Sequence, residues 1–289
     1  MLSIIVVSKD RQEYISRQII ELNSLSLKCD FEVIFFDDGS DSQLVINDAL
    51  FKYEIHRSEK NLGLIEARNQ AVKLASDLSQ YLFFLDDDIF VHGLFDYLQD
   101  AMVEINKGYL AVSLPFINLP TYKYEQLSTF KHIWDLTKRD DDCVYFFGGT
   151  SVFSTNLFNK LGGLEGLYRI YLEEEDLALR AYCSGYKMKV LYGNNYIGIH
   201  DQAGGKNWED RTNFLLSNRL AFHYKYVGNP VLRCSLDVLY LLVYLVKLRS
   251  IKKIFVAIKR RNDIAKLIIR KPVGTNVFLR FMIKRYFNF

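Results

Sequence analysis

The segment YLFFLDDD, residues 81–88, is an apolar run that ends in three consecutive aspartates. Two earlier segments have a similar form. SIIVV (3–7) leads into the polar sequence SKDRQEY, and FEVIFFDDGSD (31–41) ends in acids and a Gly-Ser turn. Short apolar runs bounded by polar and turn residues are typical of buried strands. We therefore expect three strands whose carboxyl ends carry polar side chains.

Helical patterns separate these runs. NLGLIEARNQAVKLA (61–75) begins at an asparagine that we interpret as a helix cap, and it repeats apolar residues at steps of three and four. Strands that alternate with helices indicate an α/β fold built on a parallel sheet with right-handed crossovers. Ligands of such sheets bind beyond the carboxyl ends of the strands, so we expect the acids to line one crevice.

The rest of the chain to about residue 201 gives shorter signals. YEIHRS and FFGGTSVFS each predict a strand, KMKVLYGNNYIGIHD predicts two, and LFNKLGGLEG predicts a short helix that ends at Gly162–Gly163. Residues 115–145 resemble loops with short strands. Neither this region nor the helix after residue 206 contains a recognisable motif.

The acids at the strand ends differ in what they predict. In DDGSD the aspartates suit a helix-capping turn as well as a ligand contact. Asp86, Asp87 and Asp88 repel one another unless a cation is bound, and hard divalent ions such as Mg²⁺ take carboxylate oxygens. A haloacid-type phosphatase requires Thr or Val where this chain has Phe90. A dinucleotide-binding fold requires GxGxxG after the first strand, and SKDRQE contains no glycine.

The cysteines and the N-terminal sequence indicate the cellular compartment of the protein. The cysteines Cys29, Cys143, Cys183 and Cys234 form no CxxC pair, which argues against a zinc ribbon and predicts reduced thiols in a cytosolic protein. The N-terminal MLSIIVVSKD lacks the basic region and the cleavage site of a signal peptide. We interpret it as a buried strand.

The charge is divided unevenly along the chain. Residues 1–227 carry 23 Lys/Arg and 32 Asp/Glu, a net charge of −9, whereas residues 228–289 carry 14 and 2, a net charge of +12. A basic tail predicts an anionic partner. The nine apolar residues Val238–Val246 are too few for a bilayer span, which needs about 20.

A helix over the following residues would be amphipathic. One face would carry Leu248, Ile251, Ile254, Phe255 and Ile258, and the other Arg249, Lys252, Lys253, Lys259 and Arg260. This pattern favours a helix that lies in the plane of an anionic membrane surface. The alternative is a helical appendage packed on the preceding domain with solvated lysines. A nucleic-acid partner fits less well, because the tail is too apolar for phosphate contact alone.

Several ordered motifs resemble the inverting GT-A glycosyltransferases of family 2. They are SIIVVSKDR, DDGSD, NLGLIEARN, LDDD, GGTSVF, EEEDLALR and a late His200, and the resemblance runs from about residue 2 to residue 226. It implies an α/β GT-A fold, a Rossmann-like mixed sheet flanked by helices. The catalytic domain would span 1–227, and 228–289 would form a C-terminal helical appendage.

The resemblance also implies a donor site. Asp38 and Ser8 would contact the nucleotide base, with Asp38 accepting the N3 proton of uracil, and Arg68 would lie on the diphosphate side. A glycine pair would lie beside the sugar and acceptor, where a side chain would obstruct approach. The implied donor-binding set is Ser8, Asp10, Arg11, Asp38, Arg68, Asp86, Asp87, Gly148 and Gly149.

A metal site follows from the same resemblance. Asp86 and Asp88 match the outer acids of the DxD motif. Asp88 would bind Mn²⁺ or Mg²⁺, which bridges the diphosphate, while Asp86 contacts ribose or water. His200 matches a histidine that can complete the metal shell, although a lone histidine is as commonly structural.

The acidic run YLEEEDLALR (171–180) needs two explanations. Acids in the first turn of a helix over about 172–183 would meet the positive end of its dipole, and Asp176 and Arg180 would pair at i,i+4. This accounts for Glu175 and Asp176 structurally.

The other two acids carry the chemistry that the resemblance implies. The family's catalytic base is the second acid of the run, which is Glu174, where the family commonly has Asp. Glu173 is the competing candidate. Either carboxylate can accept a proton, and the longer glutamate changes the reach by about one C–C bond.

The resemblance therefore implies a metal-dependent inverting transferase. It would move a hexose or N-acetylhexosamine from a UDP-sugar to a hydroxyl of a glycan or lipid-linked oligosaccharide, in cell-surface polysaccharide biosynthesis such as capsule or O-antigen. The alternatives are a non-catalytic nucleotide-sugar or glycan-binding scaffold, a dTDP-sugar such as dTDP-rhamnose as donor, and a phosphatase. We expect a cytoplasmic protein, peripheral on the inner face of the cell membrane. Whether it forms a homo-oligomer is left open.

Overall fold

The fold is known from a computed structural model, which describes residues 1–27, 29–119, 143–192, 195–201, 208–248 and 250–287. The strands of these residues are β1 (Leu2–Ser8), β2 (Phe31–Asp37), β3 (Tyr53–Arg57), β4 (Tyr81–Leu85), β5 (Ile89–His92), β6 (Ala111–Ser113), β7 (Phe116–Leu119), β8 (Thr150–Ser154), β9 (Met188–Val190) and β10 (Ile197–Asp201). The strands predicted from the sequence are confirmed, apart from any in 120–142, which lie outside the described residues.

The helices of the described residues flank these strands and form the C-terminal part of the chain. They are α1 (Gln12–Asn23), α2 (Leu64–Val72), α3 (Leu94–Asn106), α4 (Thr155–Lys160), α5 (Glu173–Cys183), α6 (Trp208–Tyr226), α7 (Pro230–Leu248), α8 (Ile251–Leu267) and α9 (Thr275–Phe287). The predicted cap at Asn61 is wrong, because Gly63 with φ of 92° directly precedes the helix, which begins at Leu64.

A mixed seven-stranded sheet forms the centre of the molecule, in the order β3-β2-β1-β4-β8-β6-β9. β8 runs antiparallel to both of its neighbours, and the other pairings are parallel. A second sheet has the order β5-β10-β7. In it β10 pairs antiparallel with β5 and parallel with β7.

Two apolar layers cover the central sheet. Side chains of a strand alternate between the faces, so Leu2, Ile4 and Val6 of β1 pack on the layer that contains α1 and α3. Ile5 and Val7 pack on the opposite layer, which contains residues of α2, α5 and α6. Every residue of β1 is buried, as expected for a strand covered on both faces.

The C-terminal helices pack partly on this second layer. Phe278 and Phe281 of α9 are fully buried in it, and a β-bridge joins Val227 to Val273 where the chain returns to the end of α6. Ile254 and Ile258 of α8 are partly buried against α6. In this part of the chain the packed helical appendage that we weighed as an alternative is therefore observed.

One residue of the predicted cationic face of the tail is placed differently. The Arg260 side chain donates a hydrogen bond to the carbonyl oxygen of Tyr168 at 3.0 Å, and its guanidinium lies 3.7 Å from the ring centroid of Phe214. The prediction that Arg260 belongs to an outward cationic face is wrong, because Arg260 stacks against α6. Arg249 and the Leu248 side chain lie outside what the structure describes. Within the described residues, no helix has both the length and the apolar character that crossing a membrane requires.

Candidate active site at the carboxyl edge of the sheet

The carboxyl ends of β1, β2 and β4 meet in one crevice, as the sequence predicted. The cavity there has a volume of about 340 Å³. Its lining includes Ser8, Arg11, Asp38, Asp86, Asp87 and Asp88. This volume lies within the range of ~300–1,000 Å³ that is usual for small-molecule sites.

Asp87 joins the first and fourth strands beneath the crevice. It accepts hydrogen bonds from the Ser8 hydroxyl at 2.6 Å and from Arg11 Nη1 at 2.7 Å. The same Arg11 nitrogen lies 2.7 Å from Asp88 Oδ2. Burial raises the pKa of Asp87 to about 6, although Arg11 and Ser8 oppose it. Ser8 and Arg11 therefore hold Asp87 and Asp88 in place.

Asp88 and His200 form the predicted metal pair. His200 Nε2 lies 3.3 Å from Asp88 Oδ1, because β10 pairs with β5 directly after the aspartates. The backbone amide of Asp201 donates to the carbonyl oxygen of Asp88 at 2.8 Å, which fixes the two segments together. No group of three or more His, Cys, Asp or Glu side chains in the described part of the chain could hold a metal ion.

The side-chain atoms of Asp88 and His200 fit a divalent cation whose other coordination positions are filled by a bound ligand. A carboxylate oxygen and an imidazole nitrogen supply two donors, and Mn²⁺ accepts both types. The remaining positions would be left for phosphate oxygens and water, as Mg²⁺-type ions require. That Asp88 and His200 are metal ligands stays a prediction, and the structure places their side chains in contact.

The first two acids of DDGSD, Asp37 and Asp38, have separate partners. Asp37 is fully buried and accepts the backbone amides of Ser40 at 2.8 Å and Leu44 at 3.3 Å, so it shapes the turn. Asp38 accepts the amides of Leu62 at 2.6 Å and Gly63 at 2.9 Å. A carboxylate offers about four acceptor positions, so these two bonds leave Asp38 able to accept a hydrogen bond from an N–H group of a nucleobase.

Asp10 connects two loops at the edge of the crevice. Its φ is 55°, its amide donates to Ser40 Oγ at 2.9 Å, and its carboxylate accepts the amide of Asp41 at 2.6 Å. Lys9 also pairs with this carboxylate. The loops after β1 and β2 are thereby joined, and the predicted donor contact by Asp10 stays a prediction.

Arg68 is 3% exposed and lies beneath the aspartates. Its Nη2 atom pairs with Asp86, its Nη1 atom lies 3.8 Å from Glu173 Oε1, and its guanidinium lies 5.3 Å from the ring centroid of Phe84. The structure therefore places Arg68 between Asp86 of the crevice and Glu173, one of the two candidate catalytic bases. Its predicted contact with a diphosphate remains untested.

The glycine pair separates the two groups of acids. A Cβ atom on Gly148 would lie 3.1 Å from Glu174 Oε1 and 3.3 Å from Arg68 Nη1. A Cβ atom on Gly149 would lie 2.5 Å from Asp86 Oδ2. A side chain at either position would meet these charged groups of the protein itself, in addition to the substrates that the sequence resemblance implied.

Glu175 and Asp176 have structural partners, as predicted. Burial raises the pKa of Glu175, but Arg219 Nη2 at 2.6 Å and the Tyr286 hydroxyl at 2.5 Å outweigh it and hold that pKa below its usual value. Asp176 pairs with Arg180 Nε at 2.7 Å, the predicted i,i+4 contact.

Asp176 is the centre of a fully buried polar cluster. Besides Arg180, it accepts hydrogen bonds from Lys225 Nζ at 2.6 Å, from the Tyr226 hydroxyl at 2.9 Å and from the Tyr168 hydroxyl at 3.2 Å. Burial raises the pKa of Asp176, yet its cationic neighbours lower the pKa further than burial raises it. This acid remains charged and joins α5 to α6.

Glu173 and Glu174 differ in access. Glu174 is half-buried, and its Oε1 atom accepts the backbone amide of Gly148 at 3.1 Å. Glu173 is 5% exposed, and its Oε2 atom is buried without a hydrogen-bond partner among the described residues. Burial raises the pKa of both carboxyls, that of Glu173 to about 8. Glu174 is thus the acid that a substrate can reach.

A turn with unusual backbone angles precedes these acids. Arg169, Tyr171 and Leu172 have φ values of 68°, 67° and 72°, in the left-handed region that residues with a Cβ rarely adopt. The fully buried Asn218 of α6 donates its amide to the carbonyl oxygens of Tyr168 at 3.0 Å, Ile170 at 2.7 Å and Tyr171 at 3.0 Å. The sequence contained no signal for Asn218, because 47 residues separate it from Tyr171.

Comparisons with solved structures identify the fold. Residues 1–349 of TarS from S. aureus in complex with UDP-GlcNAc superpose with a TM-score of 0.59 at 17% identity, over 91% of this chain and 80% of that chain. The mannosyltransferase PcManGT from Pyrobaculum calidifontis, in complex with GDP-Man and Mn²⁺, gives 0.54 at 14% identity, over 99% and 84%. GalNAc-T7 with UDP, GalNAc and Mn²⁺ gives 0.51 at 15% identity, over 79% and 48%.

Sequence comparison gives the family. No curated protein matches the chain significantly. The family model of glycosyl transferase family 2 matches residues 3–162, which is more than half of the 289 residues. The matched region contains β1 to β4, the aspartates of LDDD and the glycine pair. The chain therefore belongs to glycosyl transferase family 2.

Proposed function

We propose that the protein transfers a hexose or N-acetylhexosamine from a UDP-sugar to a hydroxyl group of a glycan or lipid-linked acceptor, with inversion at the anomeric carbon. The observation that carries this proposal is the position of Glu174. It lies across the glycine pair from the donor crevice, and the Gly148 amide binds one of its oxygens.

In the proposed reaction Glu174 accepts the proton of the acceptor hydroxyl as that oxygen attacks the anomeric carbon. Attack from the face opposite the departing diphosphate inverts the configuration. Asp38 and Ser8 bind on the nucleotide side. Arg68 pairs with Asp86 and approaches Glu173, which lowers the repulsion between these two acids. A divalent metal bound at Asp88 and His200 would stabilise negative charge on the nucleoside diphosphate.

The donor is tested by a thermal-shift screen of UDP-, GDP- and dTDP-sugars with and without Mn²⁺. A ligand that binds only the folded state raises Tm. We expect the largest metal-dependent shift with a UDP-hexose or UDP-N-acetylhexosamine. GDP-sugars are included because PcManGT was solved with GDP-Man. A larger shift with another nucleotide would reassign the donor.

Turnover separates an enzyme from a binding scaffold. Incubation of the best donor with Mn²⁺ and no acceptor should release UDP slowly, because water can replace the acceptor hydroxyl. Metal-dependent binding without any release, and without transfer to a panel of lipid-linked and free glycans, would favour the scaffold. Release of phosphate from simple esters would favour the phosphatase.

The proposed setting is the inner face of the cell membrane, in the biosynthesis of a surface polysaccharide. The support is an exposed apolar strip on α7 and the start of α8, which includes Leu242 at 57% exposure, Val246 at 75% and Phe255 at 65%. The strip lies within the basic tail, residues 228–289, which has a net charge of +12. Apolar insertion next to cationic residues is the combination that binds anionic lipid surfaces.

Liposome flotation of the full-length protein tests this setting. We expect binding to vesicles with anionic lipids, weaker binding to neutral ones, and loss of binding in Leu242→Ser/Val246→Ser. The control is Leu50→Ser, which changes an exposed leucine far along the chain from the tail. Equal binding by both variants would contradict the membrane role of the strip.

A further inference from the structure

Arg11 lines the donor crevice and contacts two of its three aspartates. The residue directly precedes α1, and its guanidinium lies 5.5 Å from the ring centroid of Tyr14 in that helix. Its Nη1 atom lies 2.7 Å from Asp87 Oδ1 and 2.7 Å from Asp88 Oδ2. Both aspartates are buried, whereas the Arg11 side chain is 24% exposed. A partly exposed cation therefore pairs with two buried acids.

The two carboxylate oxygens of Asp88 have different neighbours. Oδ2 contacts Arg11, and Oδ1 lies 3.3 Å from Nε2 of His200. The backbone amide of Asp201 donates to the Asp88 carbonyl oxygen at 2.8 Å, so the main chain is fixed between these neighbours. Asp88 thus lies between a guanidinium and the imidazole with which it would hold the predicted metal.

A metal and Arg11 would share this one carboxylate. A divalent ion held by Asp88 and His200 would be a close neighbour of the guanidinium on the other oxygen, and the two positive charges repel one another. The repulsion is poorly screened, because Asp88 is buried. Each cation must therefore weaken the binding of the other to Asp88, since coupling between two binding events is reciprocal.

The other two aspartates do not depend on Arg11 alone. Asp87 also accepts the Ser8 hydroxyl at 2.6 Å, and Asp86 pairs with Arg68. If Arg11 moved away, both acids would keep a partner. The LDDD segment can therefore lose the Arg11 contact without leaving Asp86 or Asp87 buried and unpaired.

A nucleoside diphosphate provides a new partner for the guanidinium. Arg11 and Asp38 line the same cavity, so the diphosphate of a nucleotide bound at Asp38 would lie in the cavity that Arg11 lines. The planar guanidinium fork matches phosphate oxygens, and such charge-assisted bonds are strong. A diphosphate also shares its oxygens with a divalent ion. The same ligand can thus attract both cations.

We propose that Arg11 is the cation that a divalent metal displaces from Asp88, and that the diphosphate of the donor takes up the displaced guanidinium. Arg11 then couples the two binding events. The metal alone binds weakly, and the metal together with a nucleoside diphosphate binds tightly. The inference rests on the proposed function, because it requires a metal at Asp88 and a nucleoside diphosphate in the crevice.

The test is a Mn²⁺ titration of the full-length protein without nucleotide, in which electron paramagnetic resonance counts the free ion. Arg11→Gln should bind Mn²⁺ at least about fivefold more tightly than the parent, the low end of usual coupling between sites. Arg11→Lys keeps the charge and should bind Mn²⁺ as weakly as the parent. UDP without metal should bind Arg11→Gln roughly tenfold more weakly, because a charge-assisted contact is lost.

Arg17→Gln is the matched control. It removes the same charge from an exposed position of α1, and the ion pair of Arg17 with Asp201 at 3.4 Å makes it a strict control for charge near the metal pair. It should change the Mn²⁺ affinity far less than Arg11→Gln does. Equal gains in both variants would reveal only an effect of net charge. That result, or unchanged or weaker Mn²⁺ binding in Arg11→Gln, overturns the inference.

A second readout needs no neutralised variant. In ¹H–¹⁵N NMR of arginine side chains, Arg11→Lys assigns the Nε signal of Arg11 in the parent protein. Saturation with diamagnetic Mg²⁺ should shift this signal, and UDP should shift it further. An Arg11 signal that Mg²⁺ leaves in place would mean that both cations occupy Asp88 together, which overturns the inference.

The inference and the proposed function fail in different ways. If Asp88→Asn binds Mn²⁺ as tightly as the parent, the metal site of the proposed function is wrong. If Asp88→Asn loses Mn²⁺ binding while Arg11→Gln gains none, only the role of Arg11 is wrong. In the double variant Asp88→Asn/Arg11→Gln, the second change should give no gain, because the shared carboxylate is gone. A full gain there would place the effect of Arg11 elsewhere and overturn the inference.

Discussion

The backbone amide of Gly148 donates a hydrogen bond to Oε1 of Glu174 across 3.1 Å. This bond joins the segment before β8 to the first turn of α5. Because the amide occupies one oxygen, the carboxylate has a fixed orientation before any substrate binds. A carboxylate held in this way would lose little conformational freedom in acting as the proposed base.

Glu174→Gln should abolish transfer and leave nucleotide binding intact. Glutamine keeps the shape and the acceptor oxygen for Gly148 but cannot take a proton. General-base removal typically costs about 10²–10⁴-fold in rate. Steady-state transfer and UDP titration measure the two effects. Full activity in this variant with a loss in Glu173→Gln would move the base to Glu173.

Glu173→Gln should stabilise the protein at alkaline pH. Burial raises the folded-state pKa of Glu173 from its usual value of 4.5 to about 8. A raised folded pKa contributes stability that is complete below the unfolded pKa and is lost as the pH rises through about 8. Glutamine has no proton to lose, so the difference in Tm between variant and parent should increase from pH 5 to pH 9.

Scanning calorimetry at several pH values tests this trend. One kcal/mol corresponds to about 2–4 °C in larger domains, so a gain of a few degrees at pH 9 is measurable. The control is Glu59→Gln, which changes an exposed glutamate. A Tm difference that stays constant over this pH range would show that Glu173 does not titrate in it.

Gly149→Ala should reduce turnover strongly. The added methyl group would lie 2.5 Å from Asp86 Oδ2, so Asp86 must move and its pairing with Arg68 must change. A displacement of about 1 Å in a positioned group can cost on the order of 100-fold. Gly274→Ala is the matched control, because its nearest neighbour for a Cβ atom is 3.8 Å away. Equal kcat/KM in both variants would contradict the prediction.

Asp88→Asn and His200→Ala should raise the Mn²⁺ concentration needed for nucleotide binding. Mutation of a residue that only orients a metal ligand typically lowers metal affinity about 10–100-fold. Mutation of a ligand itself should lower the affinity at least as much. Tm is measured against Mn²⁺ at constant UDP. His56→Ala, on the edge strand β3, serves as control. An unchanged Mn²⁺ requirement in His200→Ala would make this histidine structural.

Lys225→Met should destabilise the fold by about 1.5–3 kcal/mol, because it removes a buried hydrogen bond to a charged group while Asp176 keeps Arg180 as an ionic partner. Asp176 would keep Arg180 and the two tyrosines but lose the 2.6 Å contact with Lys225. Denaturant unfolding measures the loss. Lys266→Met removes an exposed ion pair and should change stability by less than about 1 kcal/mol. Similar losses in both variants would mean that the Asp176 cluster contributes little.

The sheet and the donor crevice could be predicted from the sequence because their signals are local. Strands that end in acids, such as the one before Asp86, carry both the periodicity and the chemistry within ten residues. The i,i+4 pair of Asp176 and Arg180 is equally local. These features need no knowledge of how distant segments meet.

The contacts around Glu175 could not be predicted in the same way. Tyr286 lies 111 residues away along the chain. The alternation of apolar and basic residues in the tail is compatible with a membrane surface or with packing on α6, and Arg260 shows the ambiguity. A cationic side chain with an apolar stem can stack on an aromatic ring instead of facing water.

The left-handed turn before α5 bears on the temperature at which activity is lost. Each such residue costs on the order of 1–3 kcal/mol, and a single amide, that of Asn218, bonds three of its carbonyl oxygens. Relaxation of this turn would displace the acids while the central sheet stays intact. We expect the enzyme to lose activity reversibly several degrees below the temperature at which its fold melts.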